Sequence, residues 1–248
     1  MLYLIGKLDK DINYSKILKI DGGFIFNINK PKSWSSFDVV RKIRKITSIK
    51  KVGHAGTLDP FATGVLIILA GRATKLSDKL MNLPKEYEAE ILLGKTTDTL
   101  DDTGTICGTE PVPDLNSQRI IQTLESFRGI IRQRIPEYSA AKIEGRRSYK
   151  LARKGLEVPE RYKTVHIYEI KLNDFHENIL NITVSCGRGT YIRSLGLDIA
   201  RKLGTTGYLT ALQRTRIGDY KIKQALTPEE FENEWITKTG NEDILFSG

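Results

Sequence analysis

Alternation is the first regularity along the chain. Over Gly23–Lys30, Phe24, Phe26 and Ile28 take every second position, which predicts a strand, and Pro31 ends it because it brings no amide hydrogen for a further ladder bond. The period then lengthens. Ser35 stands at a helix N-cap position with Asp38 three residues on to return the bond, and Phe37, Val40, Ile43 and Ile46 mark the apolar face. Residues 65–70 form an unbroken apolar run closed by Gly71, the pattern of a strand buried on both faces, and a helix is predicted from Gly71 to about Leu80. Over residues 85–94 the alternation is strict, with Tyr87, Ala89, Ile91 and Leu93 on one face and Glu86, Glu88 and Glu90 on the other.

Asn116 or Ser117 caps a helix whose apolar face is Ile120, Ile121, Leu124 and Phe127 and whose stop is Gly129. Residues 166–175 and 179–186 read as a hairpin joined by His176, Glu177 and Asn178, with Leu180, Ile182, Val184 and Cys186 facing inward. An amphipathic helix over 191–203 stops at Gly204, a last strand runs over 208–218, and Thr227 with Pro228 opens a short final helix. Hairpin-spaced strands with helices between the others predict an α+β fold around a mixed, largely antiparallel sheet.

Composition narrows the classes. With 248 residues, 40% hydrophobic and 28% charged, the chain suits one catalytic unit with a substantial core. No apolar run is long enough to span a bilayer, and the first ten residues lack a basic stretch before their apolar patch, so a cytoplasmic protein without a membrane anchor is expected. Cys107 and Cys186 form no C-x-x-C pair and the histidines do not cluster, so no metal is expected. Gly94-Lys95-Thr96 lacks the earlier glycine of a phosphate loop, Ala89 standing in its place. The acidic segment 98–104 has Leu100 at a ligand position of a calcium loop and reads as an Asp/Gly-rich turn. There is no dinucleotide fingerprint either, so no cofactor is expected. A formal charge of +9 favours a polyanionic partner. The excess is concentrated over 136–155, where Lys142, Arg146, Arg147, Lys150, Arg153 and Lys154 oppose only Glu137 and Glu144, with Tyr138 and Tyr149 between them. That mixture suits an RNA grip, and by composition alone it suits a solvated basic helix and loop equally.

The densest chemistry lies in Gly53-His54-Ala55-Gly56-Thr57-Leu58-Asp59-Pro60-Phe61-Ala62-Thr63-Gly64-Val65-Leu66. Glycines allow tight bends, and Pro60 stiffens the backbone after Asp59, leaving a carboxylate that is either a loop cap or a reactive group. The stretch resembles the signature of the TruB-type tRNA pseudouridine synthases, Gly-His-x-Gly-x-Leu-Asp-Pro-x-Ala-x-Gly-x-Leu, whose Asp is catalytic. Other segments follow in family order: the Asn29-Lys30-Pro31 turn with its capped helix, Lys85-Glu86-Tyr87, the Asp98 to Asp101 segment, residues 135–142 at the start of a thumb loop, and Cys-x-x-Gly-Thr-Tyr-Ile-Arg ending at Arg193. The Leu212-Gln213-Arg214 element departs from the family at Gln213, where an arginine is usual.

The resemblance covers about residues 24–230. It implies a pseudouridine-synthase-like catalytic domain over 23–230, with a thumb-like loop at 136–163, an extension over 1–22, and a tail over 231–248 that leaves no room for the C-terminal PUA domain many members carry. It also implies isomerisation of one uridine in the T arm of tRNA, with base flipping and without a cofactor. Asp59 is then the nucleophile or ion-stabilising carboxylate, and Arg193 pairs with it and favours its charged form. Tyr87 stacks on the uracil and assists proton movement, and Leu212 is an apolar wall. His54 holds the rearranged loop, Tyr191 contacts the flipped nucleotide, Lys30 lies at the pocket edge, Asp101 lies near the RNA, and Lys142, Arg146 and Arg147 grip it. A monomer with tRNA as partner and no obligate protein partner is expected. The alternatives are a tRNA-folding chaperone or assembly factor, and a related synthase acting on another RNA.

Overall fold

The computed structural model describes residues 16–139, 142–143, 146–148 and 159–240. In chain order its elements are β1 (Ile17–Ile20), β2 (Gly23–Lys30), α1 (Ser36–Thr47), β3 (Val52–His54), β4 (Thr63–Gly71), α2 (Ser77–Met81) and β5 (Lys85–Leu93). There follow β6 (Lys95–Thr97), β7 (Ile106–Thr109), α3 (Ser117–Glu125), β8 (Gly129–Arg134), β9 (Lys142–Ile143), β10 (Arg146–Arg147) and β11 (Tyr162–His176). The last are β12 (Ile179–Cys186), α4 (Ile192–Leu203), β13 (Gly207–Ile217), β14 (Tyr220–Lys221) and α5 (Pro228–Gly240). Two units divide the chain, one of Met1–Met81 with Arg216–Gly248 and one of Asn82–Thr215.

In the first unit, β4 lies between β2 and β3 and is antiparallel to both, with Phe26 opposite Ile68 and Val52 opposite Ala70. Residues 64–70 are all buried, as a strand covered on both faces requires. The outer partner of β2 is β1, so the sheet begins within the segment read as an extension. The capping box at α1 forms as expected: Ser35 accepts from the Asp38 amide, and the Asp38 carboxylate accepts from the Ser35 amide at 2.9 Å. Those bonds hold the Asp38 carboxyl below its ordinary range, with Arg41 adding a smaller effect. The buried stripe of α1 is Ser36, Val39, Val40, Ile43 and Thr47, so Val40 and Ile43 face inward as predicted and Ile46 packs against the core partly buried, whereas Phe37 is 59% exposed. Ser36 takes the inward slot because it is bonded to Leu58, and that turns Phe37 to the surface. Phe231 and Trp235 of α5 reach the same core, their rings 4.8 and 5.6 Å from Phe26. A buried aromatic of this kind contributes about 2–3 kcal/mol, so Phe231 and Trp235 are part of the fold.

The second unit carries an antiparallel sheet in the order β13-β5-β12-β11-β8, and the pairs β6–β7 and β9–β10 form two separate two-stranded sheets. Tyr87, Ala89 and Ile91 face inward opposite Val184, Ile182 and Leu180, the alternation read from both segments. His176 pairs with Ile179, so the turn between β11 and β12 has two residues where three were expected. Glu177 and Asn178 both adopt left-handed φ, 48° and 65°, and a two-residue turn of that hand follows the natural twist of the paired strands. In α3, Asn116 is the cap and Ile120, Thr123 and Leu124 are buried, whereas Ile121 is half-exposed. The helix predicted over 71–80 is a 3-10 turn, Arg72–Leu76, followed by α2. α4 ends where predicted, at Gly204 with φ 94°. β13 is not the last strand, because Gly218 and Asp219 turn the chain into β14. Lys150, Arg153, Lys154 and Tyr149 lie outside the described residues. No described helix is long and apolar enough to cross a membrane.

Candidate active site

The loop carrying Asp59 runs from β3 into β4, and its neighbours on both sides are fastened to the first unit. Ahead of it, the Ser36 hydroxyl accepts from the Leu58 amide at 2.9 Å and donates to the Leu58 carbonyl at 3.0 Å, satisfying both peptide groups of one buried residue. Behind it, the Pro60 carbonyl accepts from the Ser33 amide at 2.8 Å and from the Lys30 ammonium at 3.2 Å. Lys30 is fully buried and also donates to the carbonyls of Pro31 and Trp34, so its charge is spread over three peptide oxygens. It ties the Asn-Lys-Pro turn to the Asp59 loop. The Asp59 carbonyl closes a turn by accepting from the Ala62 amide, and Gly64, just inside the start of β4, takes the φ of 106° that this entry requires. Asp59 itself is half-buried. His54 ends β3 opposite Ile68, and its carbonyl accepts from Ser77.

In the second unit Tyr87 is 8% exposed, and Leu212 on the neighbouring strand is also buried. Two residues beyond Leu212, Arg214 is 1% exposed and its guanidinium lies 6.0 Å from the centroid of the Tyr87 ring. On the other face of β5, Glu86 and Glu90 accept from Thr215 and Thr210 of β13, while Glu88 is exposed. Lys85 is buried and donates to the Leu83 carbonyl. Burial, and then the charges of Arg214 and Arg188, bring its pKa down to about 8. Burial pushes the Cys186 thiol up to about 11, so this cysteine packs and does not react.

Arg193, 3% exposed at the start of α4, is held from three directions. One of its nitrogens donates to the Thr99 carbonyl at 2.6 Å, another to the Tyr138 carbonyl at 2.9 Å, and the guanidinium lies 3.4 Å from the Asp101 carboxylate. Asp101 is built for that task. It is 5% exposed, and its other oxygen accepts from the Thr99 and Thr103 hydroxyls and the Thr103 amide. Leu100, beside it, adopts φ 62°, a strained conformation for a branched residue, and the bridge between Asp101 and Leu209 helps to hold it. The acidic turn is therefore the mould around a buried arginine, and Tyr138 links that arginine to the start of the thumb segment. Lys142, Arg146 and Arg147 lie on β9 and β10, paired antiparallel.

Residues 44–192 match the family described as TruB family pseudouridylate synthase (N terminal domain). The chain belongs to the TruB family. The chain is 44% identical over 212 residues to tRNA pseudouridine synthase B of Clostridium tetani, covering 86% of this chain and 73% of that protein. It is 43% identical over 217 residues to tRNA pseudouridine synthase B of Parabacteroides distasonis, covering 85% and 92%. Among solved structures it resembles a chain of a Cbf5-Nop10-Gar1 complex, with TM-score 0.68 and 30% identity over 89% of this chain. It also resembles a chain of an H/ACA RNP bound to a substrate RNA containing 2'-deoxyuridine, with TM-score 0.66 and 27% identity over 90% of this chain. This chain spans 57% of the length of each of those two.

Within the TruB-like frame the structure adds residues that the motifs did not reveal. Ser36 looked like an ordinary helix residue next to its cap, and only the fold brings it to Leu58. Gln133 is fully buried on β8, and its side-chain amide bonds both peptide groups of Tyr191, at 3.0 and 2.8 Å. A signal for it existed: Gln133 is in phase with Ile131 in an alternating segment and out of phase with Arg132 and Arg134, which puts an amide where a hydrophobic residue is expected. Arg214 was legible in the same way, since it shares the strand phase of Leu212.

Proposed function

We propose that this chain is a tRNA pseudouridine synthase that converts one T-arm uridine to pseudouridine. The carrying observation is Asp59, held half-buried on a loop whose two flanking residues are fastened by Ser36, Ser33 and Lys30. It is joined by the family assignment of the chain. A carboxylate in a turn needs no such fastening to serve as a cap, whereas one that must meet a reacting atom does.

The reaction is an isomerisation. The bond between the sugar carbon and N1 of uracil breaks, the base turns, and the same carbon joins C5. The hydrogen of C5 leaves to solvent and N1 gains one, so atoms balance without a redox partner. In this reading Asp59 is the carboxylate on which detachment depends. Tyr87 packs against the uracil with Leu212 as an apolar wall, and Arg214 raises the positive potential over the ring. Tyr191 contacts the flipped nucleotide, and Arg193 carries out its part from a fixed start of α4. Extracting the base costs a few kcal/mol, recovered through stacking and hydrogen bonds in the new surroundings. Lys142, Arg146 and Arg147 hold the RNA backbone through charge. The protein acts on tRNA in the cytoplasm as a monomer.

The test is release of tritium from tRNA transcripts labelled at uridine C5, compared with a transcript whose T-arm target uridine is replaced by cytidine. Release should occur only from the first. Equal release from both would move the reaction to another uridine or another RNA. Tight, salt-sensitive binding with no release from either would favour the chaperone.

A further inference from the structure

We propose that Gln133 and Lys163 form a two-point holder for Tyr191, fixing its backbone and its ring, and that both are positioning residues for uridine isomerisation. The catalytic part of this inference rests on the reading of Tyr191 as a nucleotide contact. The holder itself rests on geometry alone.

Gln133 and Lys163 are direct cross-strand partners in the β8–β11 register. Both reach the same residue, far away in sequence. The Gln133 amide donates to the Tyr191 carbonyl at 3.0 Å, and the Tyr191 amide donates to the Gln133 oxygen at 2.8 Å, so a donor and an acceptor meet their complements. The Lys163 ammonium lies 4.1 Å from the centroid of the Tyr191 ring and also donates to the Gly189 carbonyl, bracing the turn that leads to Tyr191. Tyr191 is the N-cap residue of α4 and makes no side-chain cap bond of its own. Its carbonyl accepts the first helical bond, from Leu195, as well as the bond from Gln133, so Gln133 acts where the helix begins. A buried, paired amide adds little net stability compared with an apolar side chain of the same shape. What it adds is a single allowed place for the peptide it holds.

The test is a double-mutant cycle read by single-turnover tritium release and tRNA affinity. Gln133→Met keeps the volume and removes both bonds, and Lys163→Met keeps the stem and removes the charge. Each should slow release by about tenfold or more while the tRNA dissociation constant moves less than about threefold. In a Tyr191→Ala background each should have little further effect, because the ring whose place they set is gone. The exchange rate of the Tyr191 amide hydrogen should rise in Gln133→Met while that of the α4 interior stays put, a readout independent of turnover. Release at the wild-type rate, or an unchanged loss in the Tyr191→Ala background, would overturn the positioning role, and unaltered Tyr191 exchange would overturn the holder. An inactive wild-type enzyme would instead remove the catalytic reading, and the exchange result would still decide the holder. Should Gln133→Met fail to fold, Lys163→Met carries the cycle.

Discussion

In the first unit the segment around Asp59 is fastened through its backbone, by Ser36 on Leu58 and by Ser33 and Lys30 on Pro60. In the second unit Arg193 and Tyr87 are themselves buried, Arg193 in a mould of carbonyls and the Asp101 carboxylate and Tyr87 within the sheet, while the half-buried Tyr191 is held by two strand residues. On the proposed function the difference follows from what each would do. A carboxylate that is to meet a reacting atom must stay accessible, so its position is set by fixing its neighbours. Residues that shape a nucleotide's surroundings can be buried, provided each polar atom finds a partner.

The comparison breaks first at Arg193. Arg193→Ala leaves Asp101 buried without its cation, a loss of about 3–5 kcal/mol, or roughly 6–20 °C in melting temperature. Calorimetry checks this, and a shift below about 2 °C would mean that the mould is not carrying the charge. Ser36→Ala should cost less, about 1–3 kcal/mol, because one hydroxyl serves both peptide groups of Leu58. Its release rate should nevertheless fall ten- to a hundredfold, roughly what a displacement of about 1 Å produces. A Ser36→Ala enzyme with normal single-turnover kinetics would show that the loop is set by other contacts. Neutralising Arg146 and Arg147 together should flatten the dependence of log affinity on log salt by about 1.5, measured by titration at several salt concentrations. An unchanged slope would remove these arginines from the RNA contact.

The smallest effect concerns Lys85. Its folded pKa, about 8, lies below its ordinary 10.5, so between these values the unfolded chain binds a proton that the folded one has released. Stability from this group therefore rises as pH climbs through that interval. Denaturant melts of the wild type and Lys85→Met at pH 7 and pH 10 should show the wild type gaining on the variant, and a constant difference would contradict the burial.

Much of this was legible in the residues. The Asp59 segment is local, so its glycines, proline and carboxylate can be read in one window, and the strict alternation of β5 placed Tyr87 inward. The capping box at Ser35 was equally plain. The partners of the second unit were not, because Arg193 meets Asp101, and Gln133 meets Tyr191, across many intervening residues that only the sheet order brings together. One edge of the α1 face, at Phe37 and Ser36, was misread for a related reason. Ser36 counts as polar in a periodicity argument, yet it is buried by a bond to a loop that no helical period can reveal.

The most direct measurement is single-turnover tritium release by Asp59→Asn with its tRNA affinity determined in the same samples. The account predicts a rate lower by roughly a thousandfold or more and a dissociation constant within about threefold of the wild type, because the carboxylate acts on the reacting nucleotide while grip comes from elsewhere. Turnover near the wild-type rate, or a loss explained by lost affinity, would contradict it.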